Sequence, residues 1–145
     1  MELKVWWDED SDEPTIVRTQ DELAALREAV SVLDYPVVLE MLDAAHPHRV
    51  ILDAGFHGDR GVLFYSGAEH REGVYSKNPA SEDHAPEPRL YYYMSSDREF
   101  PASAEYPVDV VWQACEEFMN SDGTRPTVVE WQPRSVLRRS ADATS

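Results

Sequence analysis

Residues 50–76, VILDAGFHGDRGVLFYSGAEHREGVYS, decide the fold. Val50 to Ala54, Val62 to Tyr65 and Gly73 to Ser76 are short stretches rich in Val, Leu, Phe and Tyr, parted by turn residues at hairpin-like spacing. Gly55, Gly58 and Gly61 punctuate the first turn, so the segment reads as an antiparallel meander. Leu90 to Met94 extends it after Lys77 to Pro88, where three prolines and mixed charge predict an exposed loop.

Working outward toward the N-terminus, Val37 to Leu42 reads as a strand, although its Leu, Glu and Met content also permits helix. Tyr35 and Pro36 close the helix before it. That helix is expected over about Gln20 to Leu33: Thr19 and Glu22 form a capping box, and Leu23, Leu26, Val30 and Leu33 recur at helical spacing. Leu3 to Trp7 and Thr15 to Arg18 read as strands around an acidic turn that Pro14 ends.

Toward the C-terminus, Pro107 is expected to open a second helix with Val108, Val111, Ala114, Cys115 and Phe118 on one stripe and Gly123 placed to cap its end. Thr127 to Trp131 then reads as a closing strand. Strands grouped between two helices, without regular β-α alternation, predict an α+β domain: a mainly antiparallel sheet of about six to seven strands packed by two helices. Residues 1–133 are expected to form this single domain and 134–145, with Arg134, Arg138 and Arg139 among Ser and Ala, a flexible basic tail.

The chain of 145 residues carries 13 Lys and Arg against 28 Asp and Glu, a formal charge of -15. Such a body repels nucleic acid phosphates and anionic lipid. It steers a cationic partner, or it is simply soluble; charge by itself leaves both readings open. One cysteine, an acidic start without an apolar signal core and no apolar run of spanning length predict a cytoplasmic protein.

No pattern of catalysis emerges. His46, His48, His57, His70 and His84 lack the spacing of a metal motif and read as surface residues, so neither metal nor cofactor is expected. Cys115 sits on the apolar stripe, where a thiol behaves as a small hydrophobe. With 28 acids, adjacent carboxylates such as Glu116 and Glu117 arise by chance. Tyr91, Tyr92 and Tyr93 alternate faces on a strand, as do Trp6 and Trp7, which leaves some rings pointing away from a core.

The stretch from Glu99 to Trp131, EFPASAEYPVDVVWQACEEFMNSDGTRPTVVEW, resembles the first family of immunity proteins of bacterial polymorphic toxin systems. In that family a proline-led helix carries an alanine and a Glu-Phe pair, followed by Arg-Pro and a strand ending in tryptophan; here these are Pro107, Ala114, Glu117, Phe118, Arg125, Pro126 and Trp131. The resemblance implies an α+β protein without catalytic residues that binds a cognate toxin domain in a heteromeric complex. Family toxins are often deaminases or nucleases with basic substrate grooves, which an acidic inhibitor complements.

The expected partner-binding residues are therefore exposed acids and an aromatic. Trp7, Asp8, Glu9, Asp10, Asp12 and Glu13 come first, with Glu69, Glu72, Glu82 and Asp83 second. Two other readings stand beside this one: an acidic adaptor unrelated to toxins, and a small-ligand carrier or enzyme whose pocket is lined by the Tyr91 to Tyr93 strand and His57.

Overall fold

The structure is a computed structural model that describes residues 1–81 and 87–137. Its elements follow in the order β1 (Leu3–Trp6), β2 (Thr15–Val17), α1 (Gln20–Ser31), β3 (Val37–Asp43), β4 (Ile51–His57), β5 (Arg60–Gly67), β6 (His70–Lys77), β7 (Arg89–Tyr93), β8 (Ser96–Phe100), β9 (Tyr106–Pro107), α2 (Val108–Asn120) and β10 (Glu130–Pro133). The main path of the sheet runs β10-β6-β5-β4-β3-β1-β2 and is antiparallel throughout. The fold is thus the α+β class read from the sequence.

Register turns strand alternation into two unlike faces. Val5, Met41, Leu52, Tyr65 and Val74 stand opposite one another in a row that crosses five strands. Onto this row pack Leu23, Leu26 and Val30 of α1 and Val111, Trp112, Ala114, Cys115, Phe118 and Met119 of α2, so both helices share one face. Trp112 stacks on Phe56 with ring centroids 4.3 Å apart. Cys115 is fully buried here, and burial raises its thiol pKa.

One residue along each strand, a second row faces the other way: Trp6, Glu40, Asp53, Phe64, Tyr75 and Gln132. The β7–β8 hairpin joins the main sheet in strand pairing at one parallel position, Val37 with Tyr92. It lies over this second face, where Tyr91 and Phe100 pack against Val38, Val62 and Tyr75. Gly55 makes the approach possible, since a Cβ there would sit 2.9 Å from the Tyr91 ring.

The local signals act much as their chemistry dictates. The Thr19 hydroxyl accepts the Glu22 amide at 3.1 Å, and the Glu22 carboxylate reaches back to the Arg18 amide at 3.1 Å. Gly123, at φ +84°, donates its amide to the Phe118 carbonyl and closes α2.

Four expectations are corrected. Among the described residues the sheet contains ten strands rather than six to seven; the polar β8 and the two-residue β9 have too few apolar residues to be recognised. Pro107 precedes α2 instead of opening it, because it pairs with Arg60 in β9 while the Val108 amide is satisfied by the Asp59 carbonyl. The closing strand starts at Glu130, not Thr127, since the Thr127 amide and hydroxyl are both taken by the Glu117 carboxylate. The first helix ends at Ser31, with Val32 as its C-cap, ahead of Leu33.

Of the segment expected as a basic tail, Val136 and Leu137 lie against the cluster on the second face and Arg134 sits over the Phe64 ring. The remainder, 138–145, lies outside the described residues. No helix among the described residues is long and apolar enough to cross a membrane.

Candidate partner-binding surface

The acidic run forms the β1–β2 connection. Asp8, Glu9, Asp10, Asp12 and Glu13 are all exposed, and the turn is shaped by local bonds: the Asp10 amide to Asp8 Oδ1 at 3.0 Å and the Ser11 hydroxyl to the Glu13 carbonyl at 2.8 Å. Among the described residues none of these carboxylates meets a cation. Tyr35, 44% exposed, stands in their field; partial burial and then Asp8, Glu9, Asp10 and Asp34 raise its pKa. An uncompensated patch with an aromatic beside it is what a cationic protein surface would meet.

Trp7 does not present its ring freely. It is half-buried against the helix-side core, and its indole N–H donates to the Thr15 hydroxyl at 3.1 Å. Trp6, on the second face beside Glu40, is likewise half-buried.

The second group of acids is remote. Because β1, β3, β4 and β5 alternate in direction, the C-terminal end of β1 lies at the opposite end of the sheet from the C-terminal end of β5. Exposed Glu69 in the β5–β6 turn and Glu72 on β6 therefore cannot share one patch with Asp8 to Glu13. Glu82 and Asp83 lie outside the described residues. At the Glu69 end, Arg49 binds Asp43 Oδ2 at 2.9 Å and the Asp122 carbonyl at 2.9 Å. Burial pushes the Asp43 carboxyl upward, but the bonds from Arg49 and the Ala45 amide outweigh it and hold its pKa below the usual value.

A site that sequence reading missed lies on the second face, where the sheet floor and the β7–β8 hairpin enclose a cleft of about 660 Å³. Asp53, 2% exposed, faces Glu40 across β3 and β4, and Arg98 from β8 bridges the pair, at 3.2 Å to Asp53 Oδ2 and 3.6 Å to Glu40 Oε2. The Arg98 guanidinium lies 4.8 Å from the centre of the Tyr93 ring. Asp53 Oδ1 is buried without a hydrogen-bond partner. Burial and then repulsion from Glu40 outweigh the attraction of Arg98 and push the Asp53 carboxyl up to about 8. The one available signal was an acid inside each of two apolar strands, VVLEMLD and ILDAGFH, which become cross-strand neighbours only once the register is known.

The pocket expected from the Tyr91 to Tyr93 strand and His57 is not this cleft. Leu90 lines it, whereas Tyr91 is buried with its hydroxyl bonded to Glu105 at 3.1 Å, and His57 is exposed at the end of β4. Among the described residues no group of three His, Cys, Asp or Glu could hold a metal.

The residues Ala114, Glu117, Phe118, Arg125, Pro126 and Trp131 act together as a clasp between α2 and β10. Glu117 anchors Thr127, the Trp131 indole donates to the Pro126 carbonyl at 2.9 Å, and Arg125 lies over the Trp131 ring. Phe118, fully buried, meets Tyr65 edge-on, and Ala114 is buried beside it. A family model described as Immunity protein Imm1 matches residues 11–133. No curated protein matches the chain.

Proposed function

The chain belongs to the Imm1 immunity protein family, and on that premise we propose that it binds and neutralises a cognate toxin whose substrate is nucleic acid, a deaminase or a nuclease, by laying an acidic surface over a basic active-site groove. The family match over residues 11–133 carries the reading. The formal charge of -15 and the unpaired acids of the β1–β2 turn support the finer part, because a groove built for phosphates attracts the same anionic pattern. The protein acts in this reading as an inhibitor without catalysis of its own, in the cytoplasm where an unsecreted toxin would do harm.

Asp8, Glu9, Asp10, Asp12 and Glu13 are the first contacts, with Tyr35 joining them and Trp7 supporting the turn from behind. Glu69 and Glu72 form a separate and secondary contact, because the sheet places them at its other end.

Co-expression tests the reading. The toxin domain encoded beside this gene should arrest growth alone and be tolerated with this protein. Persistent arrest in the presence of folded, abundant protein would overturn immunity and favour an acidic adaptor for another basic protein. Replacing Asp8, Glu9 and Asp10 by Asn, Gln and Asn should slow association and flatten its salt dependence; an unchanged rate removes the turn from the interface.

A further inference from the structure

We infer that the cleft between the second face and the β7–β8 hairpin is a receptor for one basic side chain of the partner, an arginine presented from the toxin's surface, held between Glu40, Asp53 and the aromatic floor. The inference rests on the immunity reading for the identity of the partner, but the cation site stands on the geometry of the cleft.

Charge is the first ground. Glu40, Asp53, Asp97 and Glu99 line the cleft against Arg98 and Arg134, an excess of one carboxylate while Asp53 holds its proton and of two once it is released. Asp53 Oδ1 is the second. It belongs to a residue 2% exposed, in the floor of the cleft, and has no hydrogen-bond partner among the described residues. No other side chain among the described residues donates to it, so below about pH 8 the pair is satisfied by the proton it shares with Glu40, and a guanidinium donor from outside would take that proton's place.

Shape and chemistry select arginine. Phe64 and Tyr75 form an aromatic floor over which the protein's own Arg134 already lies at one side, and Leu90 is 42% exposed at the rim. The protein's own Arg98 already demonstrates the mode, with a guanidinium fork spread over both carboxylates and stacked on Tyr93. A planar fork matches two carboxylates and an aromatic wall better than a compact ammonium does.

Occupancy has a pH signature. The groups facing Asp53 are Glu40 from β3, Tyr75 from β6, Tyr93 from β7, Asp97, Arg98 and Glu99 from β8 and Arg134 after β10. Burial and the Glu40 charge keep a proton on Asp53 up to about pH 8, so an entering cation displaces that proton to solvent. Affinity should therefore rise with pH, by up to about tenfold per unit below that point.

The test is carboxyl 13C NMR of the full chain titrated with N-acetyl-arginine methylamide, with the uncharged citrulline amide as control. Saturable shifts at Asp53 and Glu40, given by arginine but not citrulline, with the accompanying shifts at Asp97 and Glu99 lost in Glu40→Gln/Asp53→Asn, support the site. Absence of such shifts overturns it. Because the double variant alters buried groups, Leu90→Arg at the exposed rim supplies a second arm by placing a competing guanidinium at the mouth. Association with the neighbouring gene's toxin domain should weaken at least tenfold in both variants. Unchanged toxin affinity in both overturns the docking proposal and leaves immunity standing, whereas a wild-type chain that captures the arginine amide but not the toxin supports the cation site and overturns immunity.

Discussion

The two faces of the sheet are built from the same strands, one residue out of step, and they differ in kind. Toward the helices stand Met41, Leu52 and Tyr65, closed over by Phe118 and Cys115; toward the hairpin stand Glu40, Asp53 and Phe64, closed over only in part and by a charged strand. The first face gains stability from apolar area removed from water. The second gives some of that up to keep the Asp53 carboxyl buried beside Glu40 and Arg98. One face holds the fold so that the other can hold charge.

The comparison breaks most sharply at Phe118. Phe118→Ala should cost about 3–5 kcal/mol, read by urea denaturation, because the ring is fully buried between the sheet and α2. A loss below about 1 kcal/mol would mean that the helix-side core is not what holds the protein together.

Asp53 breaks it from the opposite side. Its folded pKa lies above the ordinary carboxyl value, so the folded chain holds a proton that the unfolded chain releases. Stability from this group is fully present below about pH 4 and is lost as pH rises through about 8. Asp43 has the reverse sign: its pKa is depressed, and its contribution is lost on the acid side. Asp53→Asn should therefore remove the alkaline decline, leaving the variant more stable than wild type by about 1–3 kcal/mol at pH 9 in urea melts, with the acid limb unchanged. A wild-type stability flat from pH 5 to pH 9 would show that Arg98 keeps the carboxylate ionised throughout.

Glu117→Ala sharpens the comparison at the clasp. It removes the acceptor for both the Thr127 amide and hydroxyl, bonds of 2.8 and 2.9 Å, and should cost about 1–2 kcal/mol with faster amide exchange in the α2–β10 connection. The smallest effect belongs to the acidic turn. Neutralising Asp8, Glu9 and Asp10 should change stability by less than about 0.5 kcal/mol, since these side chains are exposed and meet no cation among the described residues. A larger change would give the turn a structural role that its geometry does not show.

The helix-side face was legible in the sequence because its signals are local. Leu23, Leu26 and Val30 recur within one helix behind a Thr19 cap, and Val111, Ala114, Cys115 and Phe118 within another. The meander of β4, β5 and β6 was legible through its apolar content and Gly58, whereas Gly55 and Gly61, read as turn residues, pair within β4 and β5. The second face was not, because Asp53 and Glu40 are neighbours only through register, and Arg98 reaches them from β8, whose residues Ser96–Phe100 look like a polar loop. The exposed acids were visible at once, yet their division between two ends of the sheet depends on strand direction, which composition does not encode.

Cys115, at the centre of α2 and fully covered, has a further consequence. The single sulfur of a cysteine in this chain is a built-in clock for opening of the core: a thiol-reactive reagent meets it only when the helix lifts from the sheet. Any partner that grips the folded form alone must slow that labelling in proportion to its grip, without a dye, a tag or an engineered residue.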